Sequence, residues 1–277
     1  MIMFPNAKLN LGLRVISKRS DGYHDIESVF VPTPWYDALE LNENTKFKQG
    51  ENPCNLTISG LNVGGDAGQN LVVKAYKLLS KIHSLPPVNV HLLKSIPIGA
   101  GLGGGSADGA FMLKLLNIFC NLEYSESEHE VYAAELGSDC SFFIRNKPAM
   151  VSGRGDRLGW PEIKLQQLSV LMVYPGIHLP TIEAYSNLNI DNHSGSKSLL
   201  EIIHSPIEDW KENFQNDFED YAFAKYQEIK LLKETIYQQG ALYASMTGSG
   251  SAVFGLFDME PNISWIPENY YWKLGNL

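Results

Sequence analysis

Leu9, Leu11, Leu13 and Val15 alternate with Asn10, Gly12 and Arg14, the two-residue period of a half-buried strand. On that register Lys8 and Asn10 share the other face. Asp21-Gly22, within SDGYH, is a tight-turn signal, and alternation resumes from Asp25 to Phe30, so the chain is predicted to open with a hairpin. A polar, glycine-rich region runs to Gly68. NLVVKAYKLLSKI then sets Leu71, Ala75, Leu78, Leu79 and Ile82 at helical spacing, leaves Lys74, Lys77 and Lys81 for solvent, and offers Asn70 as the cap. VNVHLL alternates as a strand. The apolar segment SADGAFMLKLLNIFC is too long for a strand and predicts a buried helix, and another is expected from Glu126 to Leu136, stopped by Gly137 as a left-handed cap.

The composition shifts at SGRGDRLGWPE, residues 152 to 162, which predicts a crossover between two domains, 1–155 and 156–277. Beyond it, LSVLMVYPG predicts a buried strand closed by a Pro-Gly turn. A helix over 225 to 239 points Tyr226, Ile229, Leu232 and Ile236 inward and ends at Gly240. SMTGSGSAVFGLF is a small-residue turn running into a strand. With no repeat or heptad array, the fold class expected is α+β in two domains.

Charge narrows the partners. Lys and Arg number 22 against 31 Asp and Glu over 277 residues, a net charge of -9 that disfavours a broad surface for nucleic acid or an anionic membrane. Any phosphate site must therefore be local. Cys54, Cys120 and Cys140 form neither a CxxC pair nor a ladder, and MIMFPNAKLNLGLRVI is broken by polar residues, so a reducing cytoplasm is expected. The sequons at Asn55, Asn192 and Asn262 then carry no weight.

Residues 97 to 110, PIGAGLGGGSADGA, hold the candidate chemistry. GAGLGG fits the bare GxGxxG pattern of dinucleotide sites, but Pro97 separates strand from glycines and no acidic residue follows about 20 positions on, Glu123 standing at the far end of the helix. No lysine completes a Walker loop, and no HRD or DFG accompanies a protein-kinase loop. Five glycines in seven residues raise the entropic cost of folding, more than a packed turn needs. They suit an anion cradle, in which backbone N–H groups converge and Ser106 with the following helix start adds a hydroxyl and a positive dipole end. Polyphosphate is the expected guest.

PIGAGLGGGSADGA resembles the central PxxxGLGSSxA motif of the GHMP kinases. AKLNLGLRVISKRSDGYHDIESVF, NLVVKAYKLL, LGSDCSFFI, YPGIHLPTIEAY and MTGSGSAVFGLF follow in order between residues 7 and 257, and are similar to the branch of that family whose acceptor is 4-diphosphocytidyl-2-C-methyl-D-erythritol. The resemblance implies a ribosomal-protein-S5-like N-terminal ATP-binding domain and a ferredoxin-like C-terminal substrate-binding domain. It implies phosphorylation by ATP, with Mg²⁺, of the acceptor's 2-hydroxyl in non-mevalonate isoprenoid synthesis, with this small molecule as the partner. Another small-molecule GHMP kinase, or a non-catalytic sensor of the fold, stays open as an alternative.

By the same resemblance Asp139 takes or orients the hydroxyl proton and Lys8 stabilises the developing charge. From the residues alone, Asp139 is as readily an N-cap and Lys8 a solvated strand-end lysine. Asn70, Lys94, Pro97, Gly99, Gly101, Leu102, Gly103, Gly104, Gly105 and Ser106 match nucleotide positions. Tyr23 and His24 match cytosine contacts, with Tyr23 and Tyr185 expected to sandwich the base. Asn10, Thr181 and Asp139 match positions near the methylerythritol moiety and the reaction centre, and Thr247, Gly248, Ser249 and Gly250 the turn that closes over the substrate. Two positions depart from the pattern. Ala107 stands where a second serine is common, and Asp108 adds a charge that is expected to point away and serve the helix N-terminus. For Mg²⁺ only Asp139 and Ser106 are candidates, and the tail from Pro261 matches no motif.

Overall fold

The computed structural model describes the chain except residues 65, 66, 164, 166, 167, 189 and 191–196, so the sequon at Asn192 lies outside the described residues. Twelve strands are described: β1 (Ile2–Met3), β2 (Asn6–Lys18), β3 (His24–Tyr36), β4 (Ala38–Glu43), β5 (Cys54–Gly60), β6 (Val88–Lys94), β7 (Ala149–Ser152), β8 (Arg157–Gly159), β9 (Ser169–Tyr174), β10 (Tyr243–Met246), β11 (Val253–Phe257) and β12 (Tyr271–Asn276). The described helices are α1 (Leu71–Ser80), α2 (Gly104–Phe119), α3 (Glu126–Leu136), α4 (Phe142–Arg145), α5 (Thr181–Ser186), α6 (Leu199–Ile203), α7 (Trp210–Asn213), α8 (Phe218–Lys225) and α9 (Gln227–Gln238). Among the described residues no helix is long and apolar enough to cross a membrane.

The chain forms two compact units that are not divided by a single cut near residue 155. One comprises Met1–Ala7, Trp35–Ile98 and Gly103–Lys147; the other Lys8–Pro34, Gly99–Leu102 and Pro148–Leu277. The opening hairpin therefore belongs with the C-terminal half.

In the first unit the sheet order is β1-β4-β6-β5, antiparallel between β4 and β6 and parallel between β5 and β6, as a crossover through α1 requires. Asn70 caps α1, accepting from Val72 N at 2.9 Å. α2 is apolar on most of its circumference, with Ala107, Ala110, Met112, Leu113, Leu115 and Leu116 wholly buried, as the sequence predicts. A Cβ on Gly109 would stand 2.9 Å from Leu71 Cβ, so the missing side chain is what lets α1 and α2 approach closely. α3 begins on a Ser125/Glu128 capping box. Its end differs from expectation: Gly137 has φ 172°, extended backbone and not a left-handed cap.

In the second unit β2, β3, β7 and β8 form one sheet. The segment expected to be an interdomain crossover is instead the β7–β8 hairpin, Val151 pairing with Leu158 and with Ser28 of β3. Both faces of β2 are buried from Asn6 to Val15, not one, so Lys8 and Asn10 need partners inside the protein. The other sheet has the order β10-β11-β9-β12, all antiparallel, the ferredoxin-like arrangement. Ile229, Leu232 and Ile236 of α9 pack into its core with Leu171, Val173, Ala244 and Val253. The tail without a motif supplies β12, an edge strand paired along β9 from Tyr271↔Tyr174 to Asn276↔Ser169.

Candidate active site

In the second unit the polar residues of β2 are held by a connected set of hydrogen bonds. Lys8 N donates to Leu102 O at 2.9 Å, fastening the strand to the glycine run. Lys8 is 3 % exposed, and its ammonium donates to Asn10 Oδ1 at 2.6 Å and lies 4.5 Å from the centre of the Phe30 ring. Asn10 N donates to Thr247 Oγ1 at 3.1 Å, while the Thr247 hydroxyl faces Asn10 Oδ1 and Gly101 O, each at 3.2 Å. Asn10 Nδ2 donates to Ser28 Oγ at 3.0 Å, and Ser28 donates to Gly12 O at 2.6 Å. A buried strand can carry this many polar atoms because they satisfy one another.

The TGSG turn meets the first part of the glycine run backbone to backbone. Gly101 has φ 80°, and a Cβ there would fall 1.9 Å from Thr247 O, so only glycine fits. Behind the turn, Asn216 Nδ2 donates to Met246 O at 2.7 Å and Gly248 O at 2.9 Å, and Glu219 accepts from Met246 N at 2.8 Å. Thr181 and Ser249 share a hydrogen bond at 3.1 Å. The structure thus brings Lys8, Asn10, Gly101, Leu102 and Thr247 together and joins Thr181 to the turn. Ser28, Asn216 and Glu219 escaped the sequence reading. For Ser28 a signal existed, because it takes the inward position between Ile26 and Phe30, where alternation calls for an apolar residue.

Of the three aromatic side chains expected around a base, two stack directly on one another. His24, not Tyr23, stacks on Tyr185, with ring centres 4.7 Å apart and planes 22° from parallel, and Phe218 meets Tyr185 edge-on at 4.8 Å. Tyr23 is 59 % exposed, with the Arg154 guanidinium 5.3 Å from its ring centre. Tyr23 and His24 are consecutive where the chain becomes extended, and successive side chains of extended backbone point to opposite faces, so only one can meet Tyr185. Burial, with a contribution from Lys18, lowers the His24 pKa and favours the neutral ring.

In the first unit the glycine run becomes the start of α2. Gly103, φ 69°, occupies the N-cap without a side chain to cap the helix, and the first turn holds no acidic residue. A 16-residue helix whose N-cap makes no side-chain capping hydrogen bond presents the positive end of its dipole there, and Gly105 is exposed with open space beside it. The Ser106 hydroxyl is near enough to the Cys140 thiol to lower its pKa against burial, which sets this turn beside the residue after Asp139. Burial pushes that thiol up to about 12, so it stays neutral. Asp139 is half-buried. It is not a helix cap: the N-cap of α4 is Ser141. Among the described residues no group of three or more His, Cys, Asp or Glu is placed to hold a metal ion.

Lys94 corrects another expectation. The residue is 2 % exposed, and its ammonium lies between two buried carboxylates, Asp37 and Asp108, the latter at 2.7 Å, and so is engaged inside the protein. Asp37 Oδ1 also accepts from Ser95 N at 2.6 Å and Ile96 N at 2.9 Å. Asp108 accordingly serves Lys94, not the helix N-terminus, and its Oδ1 has no hydrogen-bond partner among the described residues. Burial, and the neighbouring Asp37, push the Asp108 carboxyl up to about 7 against the pull of Lys94. Pro97 is buried, and Ile96 lies under Gly104, whose Cβ would be 2.9 Å from Ile96 Cγ2.

Residues 70–147 match the model of the GHMP kinases N terminal domain and residues 198–263 that of the GHMP kinases C terminal. A 4-diphosphocytidyl-2-C-methyl-D-erythritol kinase of Azobacteroides pseudotrichonymphae is 50 % identical over 93 % of this chain and 93 % of its own. One from Bacteroides fragilis is 48 % identical over 95 % of this chain and 94 % of its own. A crystal structure of 4-(cytidine 5'-diphospho)-2C-methyl-D-erythritol kinase superposes with a TM-score of 0.78 at 29 % identity, covering 92 % of this chain and 90 % of that one.

Proposed function

Since the chain belongs to the 4-diphosphocytidyl-2-C-methyl-D-erythritol kinases of the GHMP family, we propose that it transfers the γ-phosphoryl group of ATP to the 2-hydroxyl of 4-diphosphocytidyl-2-C-methyl-D-erythritol, in the non-mevalonate route to isoprenoid precursors. The observation that carries the reading is the uncapped start of α2 behind Gly103, a site whose chemistry suits a polyphosphate. In this role Gly103, Gly104, Gly105 and Ser106 receive the phosphates through backbone N–H groups and one hydroxyl. Gly99, Gly101, Leu102 and Pro97 shape the run that precedes them. Asn70 contacts the nucleoside while capping α1. Lys94 contributes through its position beneath Gly104, not through its charge.

The acceptor hydroxyl oxygen forms a bond to the γ-phosphorus as the bond from that phosphorus to the β,γ-bridging oxygen breaks, and ADP leaves. Asp139 takes the hydroxyl proton, and Lys8 supplies fixed positive charge to the oxygens that gain negative charge. When bound with ATP, Mg²⁺ screens the phosphate charges; Ser106 and Asp139 are the residues proposed to touch it. Asn10, Thr181 and Thr247 to Gly250 hold the methylerythritol end. His24 and Tyr185 offer an aromatic surface to the cytosine, with Tyr23 at its rim.

The test is ADP release from Mg-ATP with a panel of acceptors: the cytidyl substrate, galactose, homoserine and mevalonate. Turnover with the first alone is expected. Turnover with another would reassign the acceptor, and ATP binding without turnover on any would make the protein a sensor.

A further inference from the structure

The amide of Asn10 can present either its oxygen or its NH₂ to Lys8, and the residue that decides is Ser28. Ser28 is wholly buried, and its single hydroxyl proton goes to Gly12 O at 2.6 Å. Toward Asn10 it has only lone pairs left, so it can accept and cannot donate. Asn10 must therefore turn Nδ2 to Ser28, at 3.0 Å, which leaves Oδ1 facing the Lys8 ammonium at 2.6 Å and the Thr247 hydroxyl at 3.2 Å. Turned the other way, the amide would set an NH₂ against an ammonium, donor against donor.

We propose that Ser28 is a positioning residue: it locks the Asn10 amide so that Lys8 is held by an oxygen acceptor, and is itself anchored by its hydrogen bond to Gly12 O. The inference rests on the kinase reading and adds to it a residue on β3 that acts only through Asn10. The residues assigned to the phosphates, Gly103 to Ser106, make none of the hydrogen bonds that run from Gly12 through Ser28 and Asn10 to Lys8. Loss of those bonds would thus be felt in turnover and not in ATP binding.

The experiment compares wild type with Ser28→Ala, Ser28→Cys and Ser28→Thr. Cysteine nearly preserves the volume but is a poor acceptor, whereas threonine keeps the hydroxyl and adds a methyl group. Alanine and cysteine are expected to lower kcat about 10-fold or more with KM for ATP within about 2-fold, since misplacing one catalytic group weakens the transition state and not the ground state. Threonine is expected to stay within about 3-fold of wild-type kcat, even where its melting temperature falls by more than that of alanine. An unchanged kcat in Ser28→Ala, or equal losses in all three variants following the melting temperature, would overturn the inference and leave a packing residue. Absence of ADP from the wild type with the cytidyl acceptor would instead overturn the underlying reading.

Discussion

Replacing Lys94 by methionine removes the one cation from a site that holds two carboxylates with side chains almost wholly out of water. The stem still fills the space beneath Gly104. Asp37 then keeps Ser95 N and Ile96 N as donors, while Asp108 loses its only hydrogen-bond donor among the described residues, its other oxygen being already unpaired. Breaking a buried pair in this way costs about 3–5 kcal/mol, because the stranded charge retains its desolvation penalty. At about 2–4 °C per kcal/mol for a chain approaching this size, the melting temperature should fall by roughly 6–20 °C. Calorimetry and urea titration would measure it. The triple variant Lys94→Met/Asp37→Asn/Asp108→Asn carries no charge, keeps an oxygen for Ser95 N and Ile96 N, and allows the two amides to bond; it should return to within about 2 kcal/mol of wild type. Acidity provides a second check. Asp108 is raised from 3.8 to about 7 in the folded chain, so the folded state holds a proton that the unfolded state has released. The stabilisation from this group is complete below pH 3.8 and lost as pH rises through about 7. Without Lys94 the carboxyl should titrate higher still, and the deficit of Lys94→Met should be smaller at pH 5 than at pH 8. A single variant within about 1 kcal/mol of wild type, or a triple variant no better than the single one, would refute the reasoning.

Three further outcomes concern the site. Asp139→Asn should bind ATP as wild type does, measured by calorimetry, while kcat falls about 10²–10⁴-fold; an unchanged kcat would remove Asp139 from proton transfer. Tyr185→Leu keeps bulk beside Phe218 but not the stack on His24. It should raise KM for the cytidyl acceptor about 2–10-fold with KM for ATP unaltered, and an effect on ATP alone would place the stack elsewhere. Gly101→Ala should lose at least about 10-fold in kcat/KM, since the new methyl would meet Thr247 O at 1.9 Å and L residues cost of order 1–3 kcal/mol at such φ. Wild-type kinetics would mean that the two turns separate freely.

The sequence made the elements with strong periods legible: the apolar α2, the Glu126–Leu136 helix and the alternation of β2 all stand where pattern put them. The glycine run read as a backbone cradle and TGSG as a small-residue turn, and in the structure Gly101 of the one meets Thr247 of the other closely. What pattern could not give was partnership over long separations. The period of β2 shows which residues share a face but not that both faces are covered, so Lys8 looked like a strand-end cation. Lys94 joins carboxylates 57 and 14 positions away, and nothing local marks Asp37 as its partner. Tyr23 and His24 were both read as base contacts, and only the direction of the extended backbone shows that His24 is the one stacked on Tyr185. SGRGDRLGWPE was rich in turn residues because it is a tight hairpin, and the same composition describes a linker.

The order of the ferredoxin-like sheet also governs the timing of its assembly. β9 is a middle strand, yet both its neighbours come later in the chain: β11 at Val253–Phe257 and β12 at Tyr271–Asn276. A ribosome adding about 5–20 residues per second leaves VLMV with two bare edges for roughly 4–16 seconds, until β11 is made, and with one bare edge until β12 follows. Everything between, α5 to α9 and β10, is synthesised during that wait. The last strand, which matched no motif, is thus the one that closes an edge of the sheet.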